Sequence, residues 1–280
     1  MENLGLLTAI GAALAWGSYA VPLKISQSQK LIQFQALMGT GILASGVLFS
    51  LVANYPFRLN VWGLLSGLLW ASANAISLIA ITNLGLSRAI PILASLVILS
   101  SFLWGSLVFN ELPSGVVSGF IGIGLIISGA VLVSTTGSTQ SQSIKKGLVA
   151  AIAAGLIFGS QLAPLKIGHV ATKDFFFSLC VGIFVTALFI AFLVREKFKN
   201  APYKEGLISG LVWNVGNLAS LISISLIGLA KAIPISQSST LVAVLWGLFY
   251  FREITQPKKK VQVLVGAAIL LLGVITLGLA

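Results

Sequence analysis

Two polar stripes at helical spacing are the clearest chemical signal in the sequence. Each stripe contains a tryptophan, an asparagine four residues later and a serine three residues after that, so one helix face presents all three side chains. The members are Trp70, Asn74 and Ser77 in the first stripe and Trp213, Asn217 and Ser220 in the second. An asparagine amide carries both donors and an acceptor, and an indole offers a flat apolar face. The stripes, with Asn214 beside Trp213, therefore suit a neutral ring that bears hydroxyl groups; hydrogen bonding between membrane helices is the alternative.

Further polar candidates lie in two earlier segments that match each other. Trp16, Ser18 and Tyr19 in the first segment correspond to Phe158, Ser160 and Gln161 in the second. Tyr19 and Gln161 hold equivalent positions but differ chemically, so we expect selectivity to arise there. Gln237 lies in a polar run at 236–240, whereas the matching run at 93–97 is mostly apolar. We assign these residues to the substrate site together with the stripes: Trp16, Ser18, Tyr19, Gln161 and Gln237.

Ionisable side chains are missing from the middle of every long apolar run. A charge there costs about 2.5–3.5 kcal/mol on insertion scales and normally marks an ion or proton pathway, so we expect a neutral ligand. His169 and Cys180 are the only residues of their kinds, and we therefore expect no metal site, no disulfide and no cofactor. No nucleophile–base set is visible, and the sequence predicts a protein that is not an enzyme.

The composition indicates which elements carry these groups. The chain has 280 residues, of which 57% are hydrophobic and 8% charged, and its mean hydropathy is +1.04. Soluble proteins carry about 25% charged residues, so we predict an all-α integral membrane protein. The net charge of +11 does not indicate nucleic-acid binding, because the lysines and arginines occupy short gaps between apolar runs rather than one solvated face.

The sequence contains ten apolar runs, each close to the roughly 20 residues that a membrane-spanning helix needs. The predicted transmembrane helices are 4–24, 33–54, 60–82, 88–110 and 114–134, then 147–167, 174–194, 205–226, 230–251 and 259–279. The connections are too short for a soluble domain. Because 4–24 has a counterpart at 147–167, we expect it to belong to the fold rather than to a cleaved leader.

The two halves of the chain repeat each other. Residues 5–25 align without gaps on 147–167, and the members of the two stripes align in order. Apolar bias alone does not match rare residues of several types in sequence. We expect a first five-helix repeat at 1–136, a short cytoplasmic connector at 137–146 and a second five-helix repeat at 147–280. Since five is odd, the second repeat is inverted in the membrane, as in many secondary transporters.

Basic residues predict the orientation of the chain. Thirteen of the 17 lysines and arginines fall in gaps on the side opposite the termini, and the other four fall on the side of the termini. Cytoplasmic loops carry the excess of positive charge, so we predict that both termini are outside. The short loops suit a multi-pass protein of a prokaryotic inner (plasma) membrane, in contact with the lipid bilayer. The sequence leaves open whether the protein forms a homodimer.

Two lysine–glutamate pairs follow from the repeat. Lys24 and Glu253 fall on the predicted inner face, and their counterparts Lys166 and Glu111 fall on the outer face. We hypothesise that each pair closes one face and that the two closures alternate during transport. Lysines that extend to the interface, beside ordinary interfacial glutamates, are the alternative.

Four residues are assigned structural roles. Gly17 and Gly159 occupy equivalent positions, where we expect them to allow close approach of neighbouring helices. Trp104 and Trp246 lie about two turns before Glu111 and its counterpart, and we interpret them as interfacial anchors.

Motifs that resemble a known family are spread along the whole chain. They are Trp16-Gly17-Ser18 with Pro22 and Lys24, Leu69-Trp70 with Asn74, Leu84-Gly85-Leu86 before Ile90-Pro91, Gly159-Ser160 with Pro164 and Lys166, Trp213 with Asn217, and Ile233-Pro234. Together with the repeat, these motifs resemble the drug/metabolite transporter superfamily, and within it most of all the glucose/ribose porter family of sugar uptake proteins. The resemblance implies uptake of a monosaccharide by alternating access, coupled to protons.

The expected function is therefore import of a neutral, glucose- or ribose-like monosaccharide by a proton-coupled secondary transporter. A non-coupled sugar facilitator is one alternative, because no carboxylate is expected in mid-membrane. A drug/metabolite-type exporter of a neutral amino acid or nucleoside is another. A membrane component without transport activity is disfavoured, because an inert scaffold has no need of two polar stripes.

Overall fold

Every regular element in the parts of the chain that the structure describes is helical. The computed structural model describes residues 1–26, 30–84, 86–111, 115–134, 143–199, 201–251 and 256–279. These ranges contain thirteen α-helices, two π-helical turns and no strand. Helices satisfy all their backbone hydrogen bonds within one segment, which is what a chain in hydrocarbon requires.

The first half contains six α-helices. They are α1 (Glu2–Ser18), α2 (Val21–Ser26), α3 (Leu31–Val52), α4 (Val61–Leu84), α5 (Leu86–Leu103) and α6 (Val116–Ser134). A π-helical turn over Trp104–Val108 extends α5.

The second half contains seven α-helices. They are α7 (Ile144–Ser160), α8 (Ala163–Ile167), α9 (Thr172–Leu193), α10 (Tyr203–Ile227), α11 (Leu229–Ser236), α12 (Ser239–Leu245) and α13 (Pro257–Gly278). A π-helical turn over Trp246–Tyr250 extends α12.

Each of the ten predicted transmembrane helices corresponds to helical structure, but three of them are broken. The breaks lie at 19–20 between α1 and α2, at 161–162 between α7 and α8, and at 237–238 between α11 and α12. The prediction of one continuous helix was wrong at these places. Pro22 and Pro164 explain the first two breaks: each is the second residue of its short helix, where no N–H is needed, and neither can continue the helix that precedes it.

Several helices are long and apolar enough to cross a bilayer. Six segments in the described part meet both criteria: Leu31–Val52, Val61–Ala80, Ile144–Ile167, Thr172–Leu193, Tyr203–Ile227 and Pro257–Leu277. Ile92–Val108 and Val116–Leu132 are shorter apolar helices. Large apolar side chains such as Leu48, Phe189 and Leu272 are exposed, as expected where helices face lipid. The chain is a multi-span membrane protein.

Helices of the two halves pack largely against each other, and equivalent helices make equivalent contacts. The contact of α1 with α10 corresponds to that of α7 with α4, and the contact of α3 with α10 corresponds to that of α9 with α4. In addition, α3 packs on α9 and α6 packs on α13, so these contacts join each helix to its own counterpart. The main apolar core lies among these helices and includes Trp70, Trp213, Phe175, Phe176 and Ile183.

Glycines permit the closest of these approaches. A Cβ on Gly159 would lie 2.6 Å from Cβ of Ser100, and a Cβ on Gly17 would lie 2.6 Å from the carbonyl oxygen of Ser239. Side chains in folded proteins do not approach so closely. The predicted packing role of both glycines is confirmed.

Candidate functional site

Four aromatic rings from four helices form a cluster inside the main apolar core. Trp70 of α4 and Trp213 of α10 have ring centroids 4.6 Å apart, with their planes inclined at 55°. Trp16 of α1 stacks on Trp213 with centroids 6.1 Å apart, and Phe158 of α7 meets Trp70 edge-on at the same distance. Trp16 and Phe158 are counterparts in the repeat, as are the two central tryptophans. This aromatic cluster is thus built from equivalent positions of both halves.

The central indoles are buried and held in place. Trp70 and Trp213 are 5% and 4% exposed. The indole N–H of Trp16 donates to the carbonyl oxygen of Trp213 at 3.2 Å. Gly216 leaves room for the Trp16 ring, because a Cβ there would lie 2.6 Å from it. The structure brings together three tryptophans that the sequence places on three separate helices.

A chain of hydrogen bonds fixes the two amides that follow Trp213. Asn214 Nδ2 donates to the carbonyl oxygen of Ile42 at 3.1 Å and to Ser45 Oγ at 3.0 Å. Asn217 Nδ2 donates to Asn214 Oδ1 at 3.2 Å, and the Cys180 thiol lies 3.6 Å from the same oxygen. Both asparagines are fully buried. Asn214 therefore joins α10 to α3, whereas Asn217 Oδ1 has no hydrogen-bond partner among the described residues.

The polar members of the two stripes differ in their hydrogen bonds. Asn74 is half-buried, and Ser77 is buried and donates to the carbonyl oxygen of Asn74 at 2.6 Å. Ser220, the counterpart of Ser77, is fully buried, and within the described part of the chain its hydroxyl has no partner. The stripes therefore match in sequence, but the second one leaves more buried polar atoms open.

Tyr19 and Gln161 occupy equivalent places at the ends of α1 and α7. Tyr19 is half-buried against the apolar core, and Gln161 is 6% exposed. The carbonyl oxygen of Gln161 accepts a hydrogen bond from Ser66, one turn before Trp70 on α4. Its side-chain oxygen has no partner in the ranges that the structure describes. Tyr19 follows Trp16 by three residues, and Gln161 follows Phe158 by three residues. These two equivalent but chemically different residues therefore each lie about one helical turn from a member of the aromatic cluster.

Gln35 is a buried polar residue that the sequence reasoning missed. It lies on α3, is 2% exposed, and donates through Nε2 to the carbonyl oxygen of Ala71 at 2.9 Å. Ala71 directly follows Trp70. Gln35 Oε1 has no hydrogen-bond partner among the residues described. The available signal was an amide within an apolar span, since polar groups in a membrane are costly and commonly functional.

Ser18 and Ser160 bind the tryptophans that were interpreted as interfacial anchors. Trp246 Nε1 donates to Ser18 Oγ, and Trp104 Nε1 donates to Ser160 Oγ, each at 2.9 Å. Each bond joins one half to the other, and each tryptophan begins a π-helical turn. A helix of the other half thus holds each indole N–H, and the interpretation of the two rings as interfacial anchors stays a prediction. The Ser18 hydroxyl also donates to the carbonyl oxygen of Leu14 at 2.8 Å, so its proton is already engaged.

One of the two expected lysine–glutamate pairs lies within the described residues, and it is formed. Lys166 Nζ is 2.8 Å from Glu111 Oε1, and Glu111 Oε2 accepts a hydrogen bond from the Ala230 N–H at 2.7 Å. This N–H is one of the free donors in the first turn of α11. Gly228 precedes α11 with φ of 81°, and a Cβ there would lie 2.7 Å from the Glu111 carboxylate. Both its backbone conformation and the available space therefore require glycine.

A second ion pair lies at the same end of the molecule. Lys231 Nζ is 3.3 Å from Glu2 Oε1, which ties the start of α11 to the start of α1. The Lys24 side chain and the whole of Glu253 lie outside the described residues. Gln237, at the break between α11 and α12, is half-buried.

The arrangement offers aromatic faces and buried amide oxygens rather than reactive groups. Within the described ranges, no three histidine, cysteine, aspartate or glutamate side chains come together. The open oxygens of Gln35, Gln161 and Asn217 lie on three elements around the aromatic cluster. Such a site suits a small neutral molecule held by ring contacts and a few hydrogen bonds.

Comparisons with known proteins support this architecture. Residues 7–280 match the family described as Sugar transport protein. Glucose uptake protein GlcU of Bacillus subtilis is 24% identical over 285 residues, which are 99% of each chain. A Lactobacillus johnsonii protein named RbsU for ribose uptake is 27% identical over 97% of each chain. A Lactiplantibacillus plantarum protein named for sugar uptake is 26% identical over 99% of each chain.

A solved crystal structure shares the fold. It aligns with a TM-score of 0.73 at 14% identity and covers 98% of this chain and 97% of the other, which shows a common fold and nothing more. The sequence relatives confirm the resemblance to sugar uptake proteins that the motifs indicated. Together with the apolar helices, they indicate a bacterial plasma membrane protein. On the match over residues 7–280, the chain belongs to the sugar transport protein family.

Proposed function

We propose that the chain imports a neutral monosaccharide, glucose- or ribose-like, by alternating access. The observation that carries the proposal is an aromatic cluster, built from both halves, with buried amide oxygens beside it. A sugar ring presents apolar C–H groups to an indole face and hydroxyls to amides. The relatives named for glucose uptake and for ribose uptake match this chain over nearly its whole length, which supports the substrate class.

The proposed substrate site combines the aromatic cluster with the polar groups near it. Its members are Trp16, Tyr19, Trp70, Asn74, Ser77, Gln161, Trp213, Asn217, Ser220 and Gln237. Ser18 and Asn214 are assigned to this site as residues that hold its helices together, because their hydrogen bonds run to neighbouring helices.

The two halves act as inverted repeats in this proposal. Support comes from the odd number of predicted transmembrane helices in each half and from the equivalent contacts of α1 with α10 and of α7 with α4. Two halves related in this way exchange their arrangements, so that one face opens as the other closes.

The Glu111–Lys166 pair closes the face that carries the termini, and Lys24 and Glu253 close the opposite face in the alternate state. The excess of positive charge on the opposite side assigns the termini to the outside. A charge swap tests the closure: Glu111→Lys combined with Lys166→Glu is expected to recover part of the transport that each single change removes. Recovery is partial because the Ala230 N–H loses its acceptor. A double variant no better than the single variants would contradict the pairing.

Proton coupling is assigned to the carboxylates of these closures. Protonation of Glu111 removes the charge that attracts Lys166, so a proton favours opening of that face. A protein without this coupling equilibrates its sugar across the membrane but does not concentrate it.

Uptake of labelled glucose into proteoliposomes, with and without an inward proton gradient, tests the proposal. We expect saturable uptake that concentrates glucose only with the gradient and that unlabelled hexoses or pentoses inhibit. Equilibration alone would exclude coupling and indicate a facilitator. Inhibition by amino acids or nucleosides but not by sugars would exclude the sugar assignment. Trp70→Ala is expected to reduce uptake strongly, whereas Phe189→Ala, at an exposed position on the outer surface, is expected to leave it unchanged.

A further inference from the structure

The orientation of the Asn217 amide is determined by a backbone carbonyl two hydrogen bonds away. A carbonyl oxygen only accepts, so the atom of Asn214 that lies 3.1 Å from the Ile42 carbonyl oxygen must be its NH₂ group. Asn214 Oδ1 therefore faces Asn217, and the atom of Asn217 that lies 3.2 Å away must be a donor. The remaining atom of the Asn217 amide, which has no partner among the described residues, is its oxygen.

Gln35 is oriented in the same way by a nearer carbonyl. Its NH₂ group lies 2.9 Å from the carbonyl oxygen of Ala71, so its oxygen must point elsewhere. That oxygen also has no partner within the described ranges. Gln35 and Asn217 are 2% and 0% exposed, which means that protein rather than bulk water surrounds both open oxygens.

The two open oxygens belong to residues that neighbour the central pair of the aromatic cluster. Gln35 bonds to the residue that directly follows Trp70, and Asn217 lies one helical turn after Trp213 on the same face of α10. The two indoles have centroids 4.6 Å apart. All of the buried side-chain atoms that lack a partner in the described part of the chain are oxygens. Four of these nine oxygens are serine hydroxyls, which also donate, whereas the amide oxygens of Gln35 and Asn217 only accept. The NH₂ groups of Gln35, Asn214 and Asn217 donate to carbonyl oxygens and to one another, so open acceptors remain on Gln35 and Asn217.

We propose that the substrate is recognised as a hydrogen-bond donor, with one hydroxyl donating to Asn217 Oδ1 and another donating to Gln35 Oε1. Gln35 thereby becomes a specificity-determining residue. Asn214 is a positioning residue, because it turns the Asn217 oxygen toward the ligand through the Ile42 carbonyl. The inference rests on the proposed function, since it assigns the substrate contacts of the same site.

Sugar analogues distinguish a donating hydroxyl from an accepting one. A deoxy analogue loses both hydrogen-bonding roles at one position, whereas a deoxyfluoro analogue loses the donor and retains a weak acceptor of similar size. At a position where the hydroxyl donates, both analogues are therefore expected to bind about tenfold more weakly than the parent sugar, since a buried acceptor is left unsatisfied. At a position where the hydroxyl accepts, the fluoro analogue is expected to bind more tightly than the deoxy analogue.

The experiment is competition of labelled glucose uptake into proteoliposomes by glucose and by its full sets of deoxy and deoxyfluoro analogues. With the unmodified protein we expect two or more positions at which the fluoro analogue is as weak as the deoxy analogue. Asn217→Leu is expected to abolish the preference for the hydroxyl at one of these positions, and Gln35→Leu at another. Gln262→Leu, which removes an amide bonded to the Leu132 carbonyl between α13 and α6, is the matched control and is expected to keep both preferences.

Failure of the inference and failure of the proposed function give different results. Saturable glucose uptake in which fluoro analogues compete as well as glucose at every position would overturn the inference while leaving sugar transport intact. The assignment of the two residues would be overturned if neither leucine variant lost its preference for a hydroxyl. It would also be overturned if both variants lost the preference at the same position of the sugar. Absence of saturable uptake of both labelled glucose and labelled ribose by the unmodified protein would overturn the proposed function itself. The analogue series on the unmodified protein decides the donor question even if a variant fails to fold.

Discussion

Glu111 is expected to stabilise the protein more by capping α11 than by pairing with Lys166. One of its oxygens lies 2.7 Å from the Ala230 N–H, and the other lies 2.8 Å from Lys166 Nζ. The side chain of Glu111 is 11% exposed, whereas that of Lys166 is 32% exposed. The carboxylate therefore makes one well-buried contact with a helix N-terminus and one contact that water partly screens.

The two contacts differ in expected free energy. A hydrogen bond to a charged group contributes about 1.5–3 kcal/mol, and a negative charge near a helix N-terminus adds about 0.3–1 kcal/mol. An ion pair with a partly exposed lysine contributes about 0.2–1 kcal/mol. Glu111→Ala is therefore expected to lower the free energy of unfolding by about 2–3 kcal/mol, and Lys166→Met by less than about 1 kcal/mol.

Thermal unfolding of detergent-solubilised protein, followed by tryptophan fluorescence, provides the comparison. For a chain of this size, 1 kcal/mol corresponds to about 2–3 °C in Tm. Glu111→Ala is expected to lower Tm by about 4–8 °C and Lys166→Met by no more than about 3 °C. Glu111→Gln is expected to fall between them, since an amide oxygen still accepts from Ala230 but carries no charge.

The control is Glu2→Gln, which removes the exposed member of the 3.3 Å pair with Lys231 and is expected to leave Tm nearly unchanged. Equal losses of Tm from Glu111→Ala and Lys166→Met would refute the reasoning, because the ion pair and not the cap would then carry the stability of this contact. A Glu111→Gln variant as stable as the unmodified protein would show that the charge has no part in it.

Two further predictions concern the contacts between the halves. Gly159→Ala is expected to destabilise the protein by about 1–3 kcal/mol, because its methyl group overlaps α5. At Gly124 a Cβ meets nothing within 4 Å, so Gly124→Ala is expected to stabilise the protein by about 0.5–1 kcal/mol. The Tm values of the two variants should therefore move in opposite directions. Ser160→Ala leaves the indole N–H of Trp104 without its acceptor. It is expected to lower the free energy of unfolding by about 1–3 kcal/mol, measured by the same thermal transition, and an unchanged Tm would contradict the assigned hydrogen bond.

The repeat made much of the helix arrangement predictable. Rare residues aligned between the halves in order, and the ten apolar runs all correspond to helical structure. The breaks after α1 and α7 were missed, although Pro22 and Pro164 gave a signal, since a proline cannot donate to the carbonyl four residues earlier. The π-helical turns at Trp104 and Trp246 had no signal of this kind, because the prolines of their apolar runs, Pro91 and Pro234, lie more than ten residues earlier.

The candidate site was predictable by helix face but not by partner. Helical spacing placed Trp213 and Asn217 on one face. It could not indicate that the NH₂ group of Asn214 would donate to a carbonyl oxygen of α3. Gln35 was missed for the same reason: its significance depends on the Ala71 carbonyl of another helix. Contacts between helices depend on packing, which periodicity within one helix does not encode.

The predominance of contacts between the halves has a consequence for how the protein is made. The first half leaves the ribosome before any of its partners in the second half exist, so α1, α3 and α4 must wait in the bilayer for α10, α7 and α9. The face of α6 that carries Gly129 meets lipid until α13 is inserted. Assembly therefore depends on synthesis of the second half. A chain that stops before α13 leaves membrane helices without partners and becomes a substrate for quality-control proteases.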